Sequence, residues 1–223
     1  MTIDILRIIF NNRIQFHEVS LFRGAVIHSL KDKPILFHNH SGDSLRYGYP
    51  LIQYKSINNR AAIVCVGEGA EEVWQFFEDS QFDLHIGYRV EQMSVSQLSH
   101  EDFSITFDDI AANSYHISHW LPLNEDNYKT YLQTKSLTKR ITLLERLLTG
   151  NILSMLKGIG IHADRRITVS IQAIMPTRPT TYKKVKLMMF DVSFTTNIQL
   201  PDYVGLGRHT SVGYGMVTKI KKQ

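Results

Sequence analysis

Gly205-Leu206-Gly207-Arg208-His209-Thr210-Ser211-Val212-Gly213-Tyr214-Gly215-Met216-Val217 is the stretch on which the reading of this chain turns. Two Gly-x-Gly pairs bracket five residues, among them Arg208, His209, Thr210 and Ser211. Glycine reaches positive φ and lets the backbone approach a neighbour closely. Successive N–H groups in such turns can form a concavity for an anion, and Arg208 adds a planar fork suited to phosphate. A dinucleotide-binding fingerprint is excluded, because the spacing differs and a strand, not a helix, follows. A phosphate loop of nucleotide hydrolases is excluded too, since no Gly-Lys-Ser/Thr follows. Taken alone, the glycines also fit a purely structural hairpin.

Outward from the loop, the C-terminal half reads as a strand at 115–121 and a helical region from Ser136, a suitable N-cap, to Gly158, a suitable stop. Gly150-Asn151 is a point where that helix could break. Strands follow at 167–174 and about 184–194, the latter alternating Val185, Leu187 and Met189 with Lys186, Met188 and Phe190. The glycine loop stands where a second helix would complete the unit, and the strand 214–220 ends it. The N-terminal half opens on a largely buried strand over 3–10. Val19, Phe22, Val26 and Leu30 then mark an amphipathic helix over about 18–31. Leu45–Ile57 and Ala61–Val66 form a hairpin about Asn58-Asn59. Gly67 and Gly69 open a short helix, and a single strand is expected over 83–95. The fold expected is α+β, two tandem ferredoxin-like (βαββαβ-type) halves, 1–110 and 111–223, with the glycine-rich loop at 205–215.

Composition excludes several classes. No stretch approaches the roughly 18 apolar residues of a membrane span. The start, MTIDILRIIFNNRIQF, lacks the basic, apolar and small-residue parts of a signal peptide, so a cytoplasmic protein with no membrane partner is expected. The single cysteine, Cys65, sits in an apolar run where a buried thiol is the ordinary outcome. Residues 1–110 carry 9 Lys+Arg against 15 Asp+Glu, and residues 111–223 carry 16 against 6. A basic half suggests a polyanionic partner; an acidic half docked on a basic one gives the same pattern.

A Gly-x-Gly…Gly-x-Gly loop just before the last strand of a double ferredoxin-like chain resembles the RAMP superfamily of CRISPR systems. The nearest likeness is to the endoribonucleases that process CRISPR repeat RNA. Arg46-Tyr47-Gly48-Tyr49-Pro50-Leu51-Ile52-Gln53-Tyr54-Lys55, followed by Gly67-Glu68-Gly69, looks like the N-terminal half of bacterial members. The resemblance implies metal-independent cutting of precursor RNA within its repeats, with the ribose 2′-hydroxyl attacking the adjacent phosphate. It implies no cofactor and, as partners, CRISPR repeat RNA and other CRISPR-associated proteins, in a monomer or homodimer. The same loop and charge also suit a non-catalytic RAMP subunit that holds guide RNA in an interference complex.

Such chemistry needs a base, an acid and a cation, and histidine suits the first two near neutral pH. The resemblance implies a catalytic histidine near the end of the first helix or just after it, where His28, His38 and His40 lie. His38 and His40 flank Asn39 in a polar loop and come first; His28, at the edge of the helix, fits a structural role equally. Arg46, Tyr47 and Lys55 are candidates for contacting phosphate or stabilising the transition state, with a polar strand face as the alternative. For RNA contact the candidates are Gly205, Gly207, Arg208, His209, Gly213, Gly215, Lys184 and Lys186, with Lys183, Arg165, Arg166 and Arg178 extending a basic track. His38-x-His40 and His116-x-x-His119 lack a companion cysteine pair, so no metal is expected.

Overall fold

The structure, a computed structural model, describes the chain except residues 31–34, 39, 42–43, 46–47, 80–81, 109–112, 176–177, 183–184 and 222–223. Of residues 35, 38, 40–41, 44–45, 75, 78–79, 178, 182 and 185–186 it describes the backbone only. The chain divides into two compact units. One holds residues 2–104 and 211–213; the other holds Met1, 105–210 and 214–223.

The N-terminal unit begins with β1 (Thr2–Arg13), whose Leu6, Ile8 and Phe10 are buried. A single 3₁₀ turn (Phe16–Glu18) leads to α1 (Val19–Ser29), followed by α2 (Ile35–His38), β2 (His40–Ser41) and β3 (Ser44–Leu45). Then come β4 (Ile52–Ile57) and β5 (Arg60–Val66). They are joined by Asn58 and Asn59 at φ 51° and 59°, the left-handed pair that a tight two-residue hairpin requires. After α3 (Glu68–Glu72) and α4 (Trp74–Asp79) come β6 (Asp83–Ile86), β7 (Arg89–Gln92) and β8 (Val95–Ser104). The four long strands pair antiparallel in the order β4-β5-β1-β8, the ferredoxin-like arrangement. Rings fill the space beside this sheet: Phe10 meets Phe22 edge-on at 5.9 Å, and Phe22 meets Tyr54 at 5.7 Å. Such edge-to-face pairs add roughly 0.5–1.5 kcal/mol each beyond burial.

The single strand expected over 83–95 is instead a hairpin, β6–β7, turning at Gly87 (φ 64°) and Tyr88. The strand that closes the sheet is β8, in register with β1 from Thr2↔Ser104 to Phe10↔Val95. The reason lies in the backbone. Gly87 takes a conformation that favours glycine and reverses the chain eight residues before the expected strand would end.

The C-terminal unit repeats the topology: β9 (Asn113–Trp120), α5 (Glu125–Gln133), α6 (Leu137–Gly158), β10 (Val169–Ile174), β11 (Arg178–Tyr182), β12 (Val185–Thr196) and β13 (Met216–Lys219). The order β10-β12-β9-β13 mirrors the first sheet, with β11 an added partner of β12. Leu144, Leu148, Ile152 and Met155 of α6 are buried, as are Tyr115, Trp120, Phe190 and Phe194 of the sheet. The expected break at Gly150-Asn151 does not occur. Asn151 lies within α6, and its Oδ1 accepts the indole N–H of fully buried Trp120 at 3.0 Å. The helix ends at Gly158, the expected stop, and Gly160 (φ 75°) just beyond it takes the left-handed conformation of the closure. There Ile161 N–H bonds Leu156 O and Gly160 N–H bonds Lys157 O, the paired closure of a Schellman end.

Candidate functional site

The glycine loop is built by backbone demands. Gly207 (φ 95°) lies so near Trp120 that a Cβ would sit 3.0 Å from the indole. A Cβ on Gly215 (φ 65°) would fall 1.9 Å from Leu206 O. In the other unit Gly213 (φ 94°) faces Phe16 and Val19, at 3.3 and 3.4 Å from a would-be Cβ. The neighbouring amides are engaged: Leu206 N–H with Gly215 O, Arg208 N–H with Leu121 O, and Gly215 N–H with His119 O. These N–H groups therefore hold the loop closed and do not form a ready anion cradle. Gly205 and Gly213 are buried as well. Of the charged groups in the loop only the Arg208 side chain reaches solvent, with Nη1 donating to Leu123 O at 3.1 Å. His209 (φ 57°) stands edge-on to Tyr214 at 6.0 Å.

Residues 211–213 complete the edge of the N-terminal sheet. Tyr54 N–H donates to Ser211 O at 3.0 Å, and Val212 forms a parallel bridge with Tyr54. The open edge of β4 is thereby covered, which an unpaired strand needs to avoid pairing with other chains.

The N-terminal unit also holds a cavity of about 690 Å³ between α1 and the β6–β7 hairpin. His28 and Ser29 from α1, and Asp83 and His85 from β6, line it. The hairpin is clamped from below: Arg89 Nη1 meets Glu18 Oε1 at 2.5 Å and its Nε meets Glu91 Oε1 at 2.7 Å. The Arg89 hydrogen bond, helped by the Gln15 amide, holds the Glu18 carboxyl below its ordinary range.

Residues 1–104 match the family model of the Cas6b N-terminal domain, and residues 109–220 match that of the Cas6b C-terminal domain. The chain belongs to the Cas6b family. A crystal structure of Cas6b is similar over 99% of this chain and 100% of its own, at 26% identity and TM-score 0.88. A second, of the CRISPR RNA processing endoribonuclease Cas6b, covers the same shares at 25% identity and TM-score 0.75. The type IV Cas6 crRNA endonuclease Csf5, at 13% identity and TM-score 0.61 over 99% of this chain, shares the fold. The uncharacterized protein MJ0978 of Methanocaldococcus jannaschii is 34% identical over 106 residues, 48% of this chain and 71% of its own.

In this Cas6b-family chain the expected site residues fall into three groups. His28 is exposed on α1 and lines the cavity. His38 ends α2 and His40 begins β2, and only their backbones are described, as for Lys186 in β12. Arg46, Tyr47 and Lys184 lie outside the described residues. Lys55 corrects an expectation. Expected to contact phosphate or stabilise the transition state, with a polar strand face as the alternative, it has no exposed surface in β4 and fits neither in this conformation. Burial pushes its amine down to about 7.

Two features escaped the sequence reading. His85 lines the same cavity as His28 because β6 packs against α1. Asp4, His100 and Asp102 meet across the β1–β8 pair, with their ligating atoms within 4.8 Å of one another and His100 Nε2 3.2 Å from Asp4 Oδ1. All three are exposed, and this is the group among the described residues with the donors to hold a metal ion. Only the register of β8, absent from the sequence pattern, brings them together. His116 lies on a strand with Nδ1 3.4 Å from Ser193 Oγ, and His119 N–H donates to Asp191 Oδ1 at 2.6 Å.

Proposed function

We infer that this chain cuts CRISPR precursor RNA within its repeats to release guide RNAs, without a metal. The observation that carries the reading is the match of both halves to Cas6b domains, together with whole-chain similarity to a Cas6b named for CRISPR RNA processing. In the reaction a base removes the ribose 2′ proton, and the O2′–P bond forms as the P–O5′ bond breaks. An acid returns a proton to the O5′ leaving oxygen. The products are a 2′,3′-cyclic phosphate and a 5′-hydroxyl, and atoms balance without a co-reactant. His40 and His38, with His28 as the third candidate, supply the base and acid. Arg46 and Tyr47 serve the phosphate being cut, and Arg208, with Lys184 and Lys186, holds the strand by its charge.

The test is end-labelled repeat RNA incubated with purified protein in EDTA, beside a substrate carrying 2′-deoxy at the cut. A single cut that survives EDTA and vanishes with the 2′-deoxy substrate is expected. Intact RNA under both conditions, bound tightly, would turn the reading to a guide-RNA-holding subunit.

A further inference from the structure

The cavity between α1 and the β6–β7 hairpin has a composition that selects one kind of ligand. The apolar surface it offers is chiefly that of Leu21, 47% exposed, over the buried Ala25 and Leu84. Gly24 leaves the helix surface flat there, with nothing within 4 Å of where a Cβ would stand. The polar groups are gathered as well. Among the described residues, Asp83 is the only acidic group on the lining, no lysine or arginine joins it, and His28, His85 and Ser20 complete the set. The Ser29 hydroxyl is already donated to Val26 O at 2.8 Å. Tyr88 extends fully exposed from the hairpin tip beside Gly87. At about 690 Å³ the cavity lies within the roughly 300–1,000 Å³ of small-molecule sites.

Among the described residues the lining thus pairs an apolar seat with a lone carboxylate, a set that accepts a flat ring presenting N–H donors. We propose that this cavity binds one unpaired guanine base of an RNA strand. Guanine places N1–H and N2–H₂ side by side, matching the two oxygens of Asp83. Uracil offers one N–H flanked by carbonyls that the carboxylate repels. Adenine and cytosine set a ring-nitrogen lone pair against the second oxygen. Leu21 takes the ring face by apolar contact. The proposal rests on the reading above only in taking RNA as the source of the base.

The experiment compares a ten-uridine RNA with the same strand carrying one central guanosine, by fluorescence anisotropy on the full chain. About tenfold or more tighter binding of the guanosine strand is expected, in the range a good bidentate base contact provides. Gly24→Leu fills the cavity from a helix position with open space, so it melts no lower than the parent. Asp83→Asn keeps the shape and loses the double acceptor. Both variants lose the guanosine preference while binding the uridine strand within about twofold of the parent. Equal binding of the two strands by the parent, or a preference that persists in both variants, overturns the proposal. So does displacement of the strand by micromolar guanosine 5′-monophosphate, which would assign the pocket to a free nucleotide. Cutting of repeat RNA is scored in parallel. A guanosine preference with no cutting leaves the pocket standing and sinks the nuclease, and cutting with no preference does the reverse.

Discussion

Lys55→Met removes an amine that the N-terminal unit buries without exposed surface. Desolvation disfavours the charged form and pushes the amine down to about 7. An unfolded lysine titrates near 10.4, so between about 7 and 10.4 the unfolded chain binds more protons than the folded one. Stability must then rise with pH across that window. Below pH 7 both states hold the proton, and the cost of the buried charge stands in full. A gap of about 3.4 pH units at 1.36 kcal/mol each makes that cost roughly 4–5 kcal/mol. Between pH 7 and 8.5 about 1.5 kcal/mol of it is recovered, a slope close to 1 kcal/mol per unit. The assay is urea unfolding of parent and variant at pH 7.0, 7.75 and 8.5. The buried Cys65 thiol and Tyr54 hydroxyl, both raised by burial, are shared by the two proteins and cancel in the difference. The stability gap between Lys55→Met and parent should narrow by about 1.5 kcal/mol over this range. Parallel profiles would refute the reasoning, because they would mean that the amine keeps its ordinary proton affinity in the fold.

Gly215→Ala should unfold the C-terminal unit or cost it more than 4 kcal/mol, since φ is 65° and the new Cβ would overlap Leu206 O; thermal melting checks this. Gly150→Ala, in α6 with open space around it, should instead raise stability by about 0.5–1 kcal/mol. A fall in melting temperature would contradict the continuous helix. Arg208→Ala should weaken RNA binding about equally for all sequences and reduce the salt slope by about one, with melting unchanged. An unaltered salt slope would remove Arg208 from the RNA contact.

Much of the topology was legible because its signals are local. Asn58-Asn59 announces a tight hairpin, and the apolar spacing of Val19, Phe22 and Val26 announces α1. β8 carries no such signal. As an edge strand it is exposed along most of both faces, with Leu98 at 52%, so neither alternation nor an apolar run marks it. α5 was missed for a like reason: none of its residues is buried, and only Asn124, accepting from Asn127 N–H at 2.8 Å, marks its start. Lys55 illustrates the limit for sites. A lysine in a strand reads as surface, and only the packed sheet places it inside. The placing of His85 on the same cavity as His28, and the contact of Asp4 with His100, depend on tertiary packing and strand register that composition does not encode.

The glycine loop identifies the fold more securely than it identifies the activity. Gly207, Gly213 and Gly215 are each required by a positive φ, Gly215 also by Leu206 O at 1.9 Å from a would-be Cβ, and the amides of Leu206 and Gly215 are spent on Gly215 O and on His119 O of β9. Any chain with this backbone path would need those glycines, whether or not it cuts RNA. The loop also edges the N-terminal sheet through Ser211 and Val212, a structural duty of its own. The one fully exposed charge left to meet a nucleic acid in the loop is the Arg208 guanidinium, beside the half-buried His209 and Ser211. Activity must therefore be argued from the histidines and tested on the RNA, because replacing a loop glycine would abolish cutting by unfolding the protein even if the loop never touched substrate.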